Sequence, residues 1–372
     1  MSDSSSTCVR VDLGPRSYDI LVGSDLLSQV GRVIADLGRT THAWVVTDEH
    51  VAPLYLSQVC DSLNERGIRT DTWVVPAGEP SKSLQTAAAG WQKLLEAGAD
   101  RGTVVAALGG GVVGDLGGFL AATYARGLRF FQIPTSLLAQ VDSSVGGKVG
   151  INLPQAKNMV GAFHQPLGVL ADVGTLRTLP QREYVSGLGE VVKYGMILDA
   201  RFFSQLEADV EALLRRDAEV LRRVVARCCR LKADVVEKDE REESGLRAVL
   251  NYGHTFAHAF ETLTGYGVWL HGEAVAAGMH CAAVLAARLG LLSPEVVERQ
   301  ADLLRRLGLP TRPPELSPQE VVACVMHDKK VRHGRLRLVL PTEIGHVELI
   351  DSVSPEQVIA ALPAAAASEF AS

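Results

Sequence analysis

Short, almost continuously apolar runs alternate with amphipathic ones through the first half of the chain, and amphipathic helical runs dominate the rest. AWVVTD, TDTWVVPAG, TVVAALGGG and LRFFQIP have the length and the β-branched and aromatic content of buried strands. CVRVDLG and SYDILVG read as a strand pair ahead of the first helix, and VAPLYLSQVCDSLNERG and LQTAAAGWQKLLEAG carry helical spacing between strands. This order predicts an α/β N-terminal half, a Rossmann-like parallel sheet with helices on both faces and a ligand site at the carboxyl ends of its strands. From about Leu179 the pattern becomes mainly α-helical, as in DAEVLRRVVARCCRLKADVVEKDERE and SPEVVERQADLLRRLG, with one late strand pair, RLRLVLP and GHVELI. The expected division is an α/β domain over 1–178 and a helical domain over 179–372, with a cleft between them and disordered tails at about 1–7 and 363–372.

Composition narrows the function classes. The 372 residues are 47% hydrophobic with a net charge of −6, and Lys and Arg are scattered, which argues against nucleic-acid binding. MSDSSST has neither the basic start nor the apolar core of a secretory signal. The most apolar later stretch, EAVAAGMHCAAVLAARLG, contains His280 and Arg288 and reads as a buried helix rather than a membrane span. Cys8, Cys60, Cys228, Cys229, Cys281 and Cys324 form no CxxC pair, so a cytoplasmic protein with reduced thiols is expected.

The residues with the clearest chemistry are His254 and His258 in NYGHTFAHAFE, His271 in WLHGEAVAAG and Glu190 in GLGEVVKYG. Histidines four apart share a helix face, and a third histidine with a carboxylate from another segment offers more ligands than zinc needs. The set predicts a catalytic divalent metal site with a base to spare.

Gly109-Gly110-Gly111-Val112-Val113-Gly114-Asp115 follows a predicted strand and opens a helix, so backbone N–H groups there can face a pyrophosphate. No acidic residue ends the next strand, LRFFQIP, as a standard dinucleotide site requires; Asp48, after AWVVTD, is the candidate for ribose hydroxyls. VDSSVGGK is not a P-loop, because the leading glycine and the Ser/Thr after lysine are missing. Cations and amides gather in the remaining motifs: Lys148, Asn152, Lys157, Asn158, Lys193, Lys232, Arg247, Asn251, Lys329 and Lys330. Lys193, three residues after Glu190, points toward the metal, and the cluster predicts an anionic substrate bearing phosphate or carboxylate. Asp115, Asp142 and Glu261 take no definite role from spacing alone, and Asp115 reads equally well as a helix-start carboxylate.

GGGVVGDLGGFLAATYARG, QIPTSLLAQVDSSVGGKVGIN, AKNMVGAFHQP, GLGEVVKYG, DEREESGLRAVLNYGHTFAHAFE, GYGVWLHGEAVAAGM and HDKK together resemble the signature segments of the 3-dehydroquinate synthase family, in order, from the first strands to near residue 362. The resemblance implies a dehydroquinate synthase-like fold and conversion of 3-deoxy-D-arabino-heptulosonate 7-phosphate to 3-dehydroquinate plus phosphate. NAD would transiently oxidise a hydroxyl to acidify the neighbouring C–H, zinc or cobalt would assist, and re-reduction, ring opening and aldol closure would follow. The resemblance makes Glu190, His254 and His271 the metal ligands and leaves His258 for proton transfer. It assigns Asp142, Lys148, Asn158, Lys193, Lys232, Arg247, Asn251, Lys329 and Lys330 to the substrate. It assigns Asp48, Glu79, Lys82, Gly110, Gly111, Asp115, Thr135, Ser136, Lys148, Lys157 and Thr178 to NAD. Arg126 in TYARG would reach into a partner's site in a homodimer. His50 and Ser136 depart from the family pattern, at positions where relatives carry a small polar residue and a threonine. The competing readings are a related sugar phosphate cyclase (amino-dehydroquinate, deoxy-scyllo-inosose or epi-valiolone synthase), a glycerol-type polyol dehydrogenase, and a non-catalytic binding protein. The amino variant shares both substrate anions; the dehydrogenase has no need of so many cations.

Overall fold

The computed structural model describes residues 6–154, 156–265, 267–327, 331–332 and 335–362. The first strands and helices in chain order are β1 (Ser6–Val11), β2 (Tyr18–Gly23), α1 (Val30–Asp36), β3 (His42–Asp48), α2 (Ser57–Asn64), β4 (Arg69–Val75), α3 (Leu84–Glu96), β5 (Thr103–Gly109), α4 (Gly111–Thr123), β6 (Arg129–Pro134), β7 (Lys148–Leu153), β8 (Ala156–Phe163) and β9 (Gly168–Asp172). There follow α5 (Gln181–Leu198), α6 (Ala200–Leu214), α7 (Ala218–Lys238), α8 (His254–Thr264), α9 (His271–Arg288), α10 (Pro294–Arg306), α11 (Pro318–His327), β10 (Val331–Arg332), β11 (Arg335–Glu343), β12 (His346–Val353) and α12 (Pro355–Ala361).

Seven strands form one sheet in the order β1-β2-β9-β6-β5-β3-β4, with β1 antiparallel to β2 and the other pairs parallel. β5 is buried along its whole length because each face meets its own apolar layer. Val105 and Ala107 join Trp44, Phe119, Leu120 and Phe130 on one side; Val104, Ala106 and Leu108 join Val59, Leu63, Phe131 and Ile133 on the other. Two-sided burial is why these strands read as unbroken apolar runs.

Three expectations change. Ser6 and Thr7, expected in a disordered tail, are the first residues of β1 and pair with Gly23 and Val22; residues 1–5 and 363–372 lie outside the described residues. The hairpin of β7 and β8 and the strand β9 have no counterpart among the expected elements; the hairpin is rich in glycine and polar residues, and β9 is only five residues long. The chain separates into one unit of Met1–Leu179 with Ala218–Arg241, and another of Pro180–Asp217 with Glu242–Ser372. Helix α7, expected in the helical domain, therefore belongs to the first unit. The physical reason is its buried apolar stripe of Val220, Leu221, Val224, Val225, Cys228 and Cys229, together with polar ties to the β1–β2 segment. There Glu237 accepts the Asp12 N–H at 2.9 Å, and Arg16 pairs with Glu240 at 2.6 Å.

In the second unit, α9 packs against both α5 and α8, and the β11–β12 pair turns at Gly345, whose N–H donates to the Met196 carbonyl on α5 at 2.9 Å. No helix among the described residues is long and apolar enough to cross a membrane.

Asp172 ends β9 and ties the loops at that edge of the first unit. Its carboxylate, 3% exposed, accepts the backbone N–H groups of Asp25 (3.0 Å), Leu26 (2.7 Å), Leu27 (3.2 Å) and Gly174 (2.8 Å). Truncation would leave the donors of the buried Leu26 and Leu27 without an acceptor. Asp172→Ala is predicted to cost about 3 kcal/mol or more, and Asp172→Asn less, read as a fall in the urea midpoint at unchanged slope.

Candidate metal centre and cofactor site

The metal-site candidates depend on backbone contact between helices in the second unit. A Cβ on Gly272 would lie 1.8 Å from the Ser186 carbonyl oxygen, and one on Gly189 would lie 2.5 Å from that of Gly272, so α9 meets α5 without side chains between them. The Gly272 N–H donates to Ser186 Oγ at 3.0 Å, and Arg182 grips Glu273 through two bonds of 2.7 and 2.8 Å. Gly189 immediately precedes Glu190, and Gly272 immediately follows His271. The close crossing thus brings a carboxylate from α5 beside an imidazole at the start of α9, and His254, at the start of α8, completes the group.

The three donors converge as expected for ligands. One donor atom from each of Glu190, His254 and His271 lies within 4.8 Å of the others; Glu190 Oε1 is 3.5 Å from His254 Nε2 and 3.6 Å from His271 Nε2. These separations are too long for hydrogen bonds and suit atoms around a tetrahedral ion, which at bond lengths of about 2.0–2.2 Å stand roughly 3.4 Å apart. Two imidazoles and a buried carboxylate are a donor set for zinc, cobalt or iron. The other oxygen of Glu190, Oε2, is held by the Lys193 ammonium one helical turn on. Lys193 thus faces the metal ligands as the sequence suggested, but as a partner of Glu190.

Burial, reinforced by Lys193, pushes His254 down to about 3. Burial acts downward on His271 too, but the Glu190 and Glu261 carboxylates outweigh it and hold that ring up at about 10. The two carboxylates thus favour the protonated form of the His271 ring. His258 stands outside the triad, exposed on α8, with its ring centre 5.9 Å from that of His254.

In the first unit, the NAD candidates gather at the carboxyl ends of the parallel strands. Asp48 ends β3, Glu79 and Lys82 follow β4, Gly110 and Gly111 follow β5, Thr135 and Ser136 follow β6, and Thr178 lies in the turn after β9. Gly110 is the N-cap of α4 with no side chain capping the helix, leaving a bare helix start suited to a pyrophosphate. Lys82, 4% exposed, donates to Asp115 at 2.7 Å and to Asn158 at 2.6 Å. Burial raises the Asp115 pKa, with Lys82 opposing it. Asn152 links to Glu79 at 2.8 Å and accepts the Asn158 N–H at 2.8 Å, so the β7–β8 hairpin is tied to this cluster. Asp48 accepts the N–H groups of His50 and Val51, and Thr178 Oγ1 lies 2.5 Å from the Tyr55 hydroxyl.

The remaining candidates fall on both units. Lys232 on α7 donates to the Asp142 carboxylate and carbonyl, each at 2.7 Å. Lys148 and Lys157 lie on the hairpin, Lys148 exposed and Lys157 partly so. Arg126 is exposed, in a turn where two consecutive residues are left-handed, Ala125 (φ 49°) and Arg126 (φ 66°). In the second unit, Arg247 is buried with its Nε 3.4 Å from Glu242, and Asn251 lines a cavity of ≈ 120 Å³ with Thr255 and Arg337. Lys329 and Lys330 lie outside the described residues. Sequence reasoning gave no role to Arg337, Tyr55 or Glu242: Arg337 and Tyr55 are brought in by neighbouring elements, and Glu242 lies within the DEREESGLR segment but was not singled out as the partner of Arg247.

Residues 72–186 match the N-terminal and 187–331 the C-terminal domain of 3-dehydroquinate synthase. The chain is 49% identical to a 3-dehydroquinate synthase of Desulforamulus reducens, over 95% of this chain and 99% of that one. A 2-epi-5-epi-valiolone synthase from Streptomyces hygroscopicus, solved with NAD+ and Zn2+, superposes with a TM-score of 0.85 at 30% identity, covering 92% of this chain and 95% of that one. A 2-deoxy-scyllo-inosose synthase solved with carbaglucose-6-phosphate, NAD+ and Co2+ gives a TM-score of 0.87 at 26% identity, over 95% and 98%. With both family domains matched in sequence and a relative nearly half identical along its whole length, the chain belongs to the 3-dehydroquinate synthase family.

Proposed function

We propose that this chain is a carbon–oxygen lyase that converts 3-deoxy-D-arabino-heptulosonate 7-phosphate to 3-dehydroquinate and phosphate, as a homodimer using NAD and one divalent metal. The observation that carries the reading is the convergence of Glu190, His254 and His271 in a chain of this identity to 3-dehydroquinate synthase. When bound, NAD would supply reversible hydride acceptance and the metal a Lewis acid.

The rest is the work of side chains. Glu190, His254 and His271 hold the metal, and Lys193 fixes the Glu190 carboxylate. The α4 start at Gly110 and Gly111, with Asp48, Glu79, Lys82, Asp115, Thr135, Ser136, Lys157 and Thr178, holds NAD. Lys148, Asn158, Lys232, Arg247 and Asn251 meet the substrate carboxylate and phosphate, where charge grows as phosphate departs. Asp142 orients Lys232. His258, exposed one turn from a metal ligand, moves the proton. Arg126 completes the partner's site, a role supported by its exposure and strained presentation.

The direct test is purified protein with the heptulosonate phosphate and NAD: phosphate release without net NADH is expected. Stoichiometric NADH from glycerol-like substrates would instead indicate a polyol dehydrogenase. Lys148→Ala is expected to weaken the phosphorylated substrate about ten- to a hundred-fold, the loss of one charge-assisted hydrogen bond, with NAD affinity retained; an unchanged KM would remove Lys148 from the substrate site.

His271→Ala is expected to lose metal and activity together. His258→Ala should keep the metal and lose about 10²–10⁴-fold in kcat. Metal content by atomic absorption separates the two roles.

Mixing inactive Arg126→Ala with inactive His271→Ala protein tests sharing between subunits. Mixed dimers would contain one intact site, so activity should return; none, despite proven subunit exchange, would confine Arg126 to its own subunit.

A further inference from the structure

We infer that Glu261 is a positioning residue for His271: its carboxylate accepts the His271 Nδ1 proton and so presents the Nε2 lone pair to the metal. The inference rests on the metal reading above and adds to it a residue that spacing left without a role. Glu261 lies on α8 two helical turns after His254, on the same face, so one helix supplies both a ligand and the carboxylate behind the other ligand. Glu261 is 8% exposed, and its Oε1 stands 3.6 Å from His271 Nδ1, while Nε2 of the same ring faces Glu190 at the same distance. At that separation the two groups are in ion-pair contact, and the inference is that they close to a hydrogen bond when Nε2 takes the metal.

The other imidazole is arranged the same way. His254 Nδ1 lies 3.1 Å from the Tyr252 carbonyl oxygen, and its Nε2 faces Glu190. A neutral imidazole donates from one nitrogen and coordinates through the other, so an acceptor at each Nδ1 selects the tautomer with both Nε2 atoms available. The two acceptors differ in charge. A carboxylate makes its imidazole the more basic ligand, and removing such partners typically weakens metal affinity about 10- to 100-fold.

The test is zinc affinity of the metal-free protein and its variants, by competition with a chromophoric chelator, together with the visible absorption of the cobalt-loaded forms. Glu261→Ala should bind zinc about 10- to 100-fold more weakly and shift the cobalt spectrum, while the metal-free protein still unfolds cooperatively in urea. Glu261→Gln, which keeps an acceptor oxygen and loses the charge, should recover part of the affinity. A folded Glu261→Ala protein with wild-type zinc affinity and cobalt spectrum overturns the inference. If the alanine variant does not fold, glutamine decides: about a tenfold loss supports the assignment and wild-type affinity overturns it. Failure of the wild type to bind zinc or cobalt would instead refute the metal reading itself.

Discussion

The close crossing of α5 and α9 is the constraint on which the metal centre depends. Side chains at Gly189 and Gly272 would collide with backbone oxygens, so the crossing exists only because both positions lack a Cβ. Helices in ordinary contact sit about 8–10 Å apart; backbone-to-backbone contact removes the slack that longer side chains would introduce. The same device recurs between α8 and α9, where a Cβ on Gly278 would lie 2.3 Å from the Gly253 carbonyl oxygen. Gly253 precedes His254. Each ligand is therefore next in sequence to a glycine at a helix contact, and the positions of the donor atoms follow from the backbone more than from rotamer choice.

The first unit solves a different problem, that of keeping charged groups at the strand ends without exposing the sheet. Its parallel strands are covered on both faces, and α7 lies against β1 with ion pairs along its rim. The charged groups collect at the carboxyl ends of the strands. There Lys82, Asp115, Asn152, Asn158 and Glu79 form one hydrogen-bonded cluster that joins the α4 start to the β7–β8 hairpin. A fully bonded polar cluster keeps each buried group satisfied and fixes the hairpin relative to the helix start.

The strands buried on both faces were legible in the sequence because two-sided burial writes itself as an unbroken apolar run. β7 and β8 were not, since their buried residues, Val149 and Ile151 with Val160 and Ala162 beside them, are too few and too interrupted by glycine and polar residues to write an apolar run. Helix α7 was recognisable as a helix, yet its periodicity says only that one face is buried and not against which unit. Among site residues, metal chemistry restricts residue type so strongly that Glu190, His254, His258 and His271 stood out as a set, while only the family resemblance singled out the three that converge. Glu261 had no such signature: a carboxylate behind a ligand is defined by where its helix points, and spacing alone could not distinguish it from an ordinary buried acid.

The cations show, in a more general way, what local spacing leaves out. Read singly, Lys82, Lys193, Lys232 and Arg247 are positive charges awaiting an anion. In the folded protein each has an acid beside it, namely Asp115, Glu190, Asp142 and Glu242. All four cations are buried, and an unpaired ammonium or guanidinium there would carry a desolvation penalty of several kcal/mol. Pairing removes that penalty in the ligand-free protein and sets a condition on what can bind. A weakly charged or neutral ligand gives too little in return for separating such pairs, whereas a phosphate or carboxylate presented with the right spacing can share the cation or replace its partner. Any ligand that meets one of these cations must therefore compete with the acid already beside it, so the acids shape what each cation can hold as much as burial does.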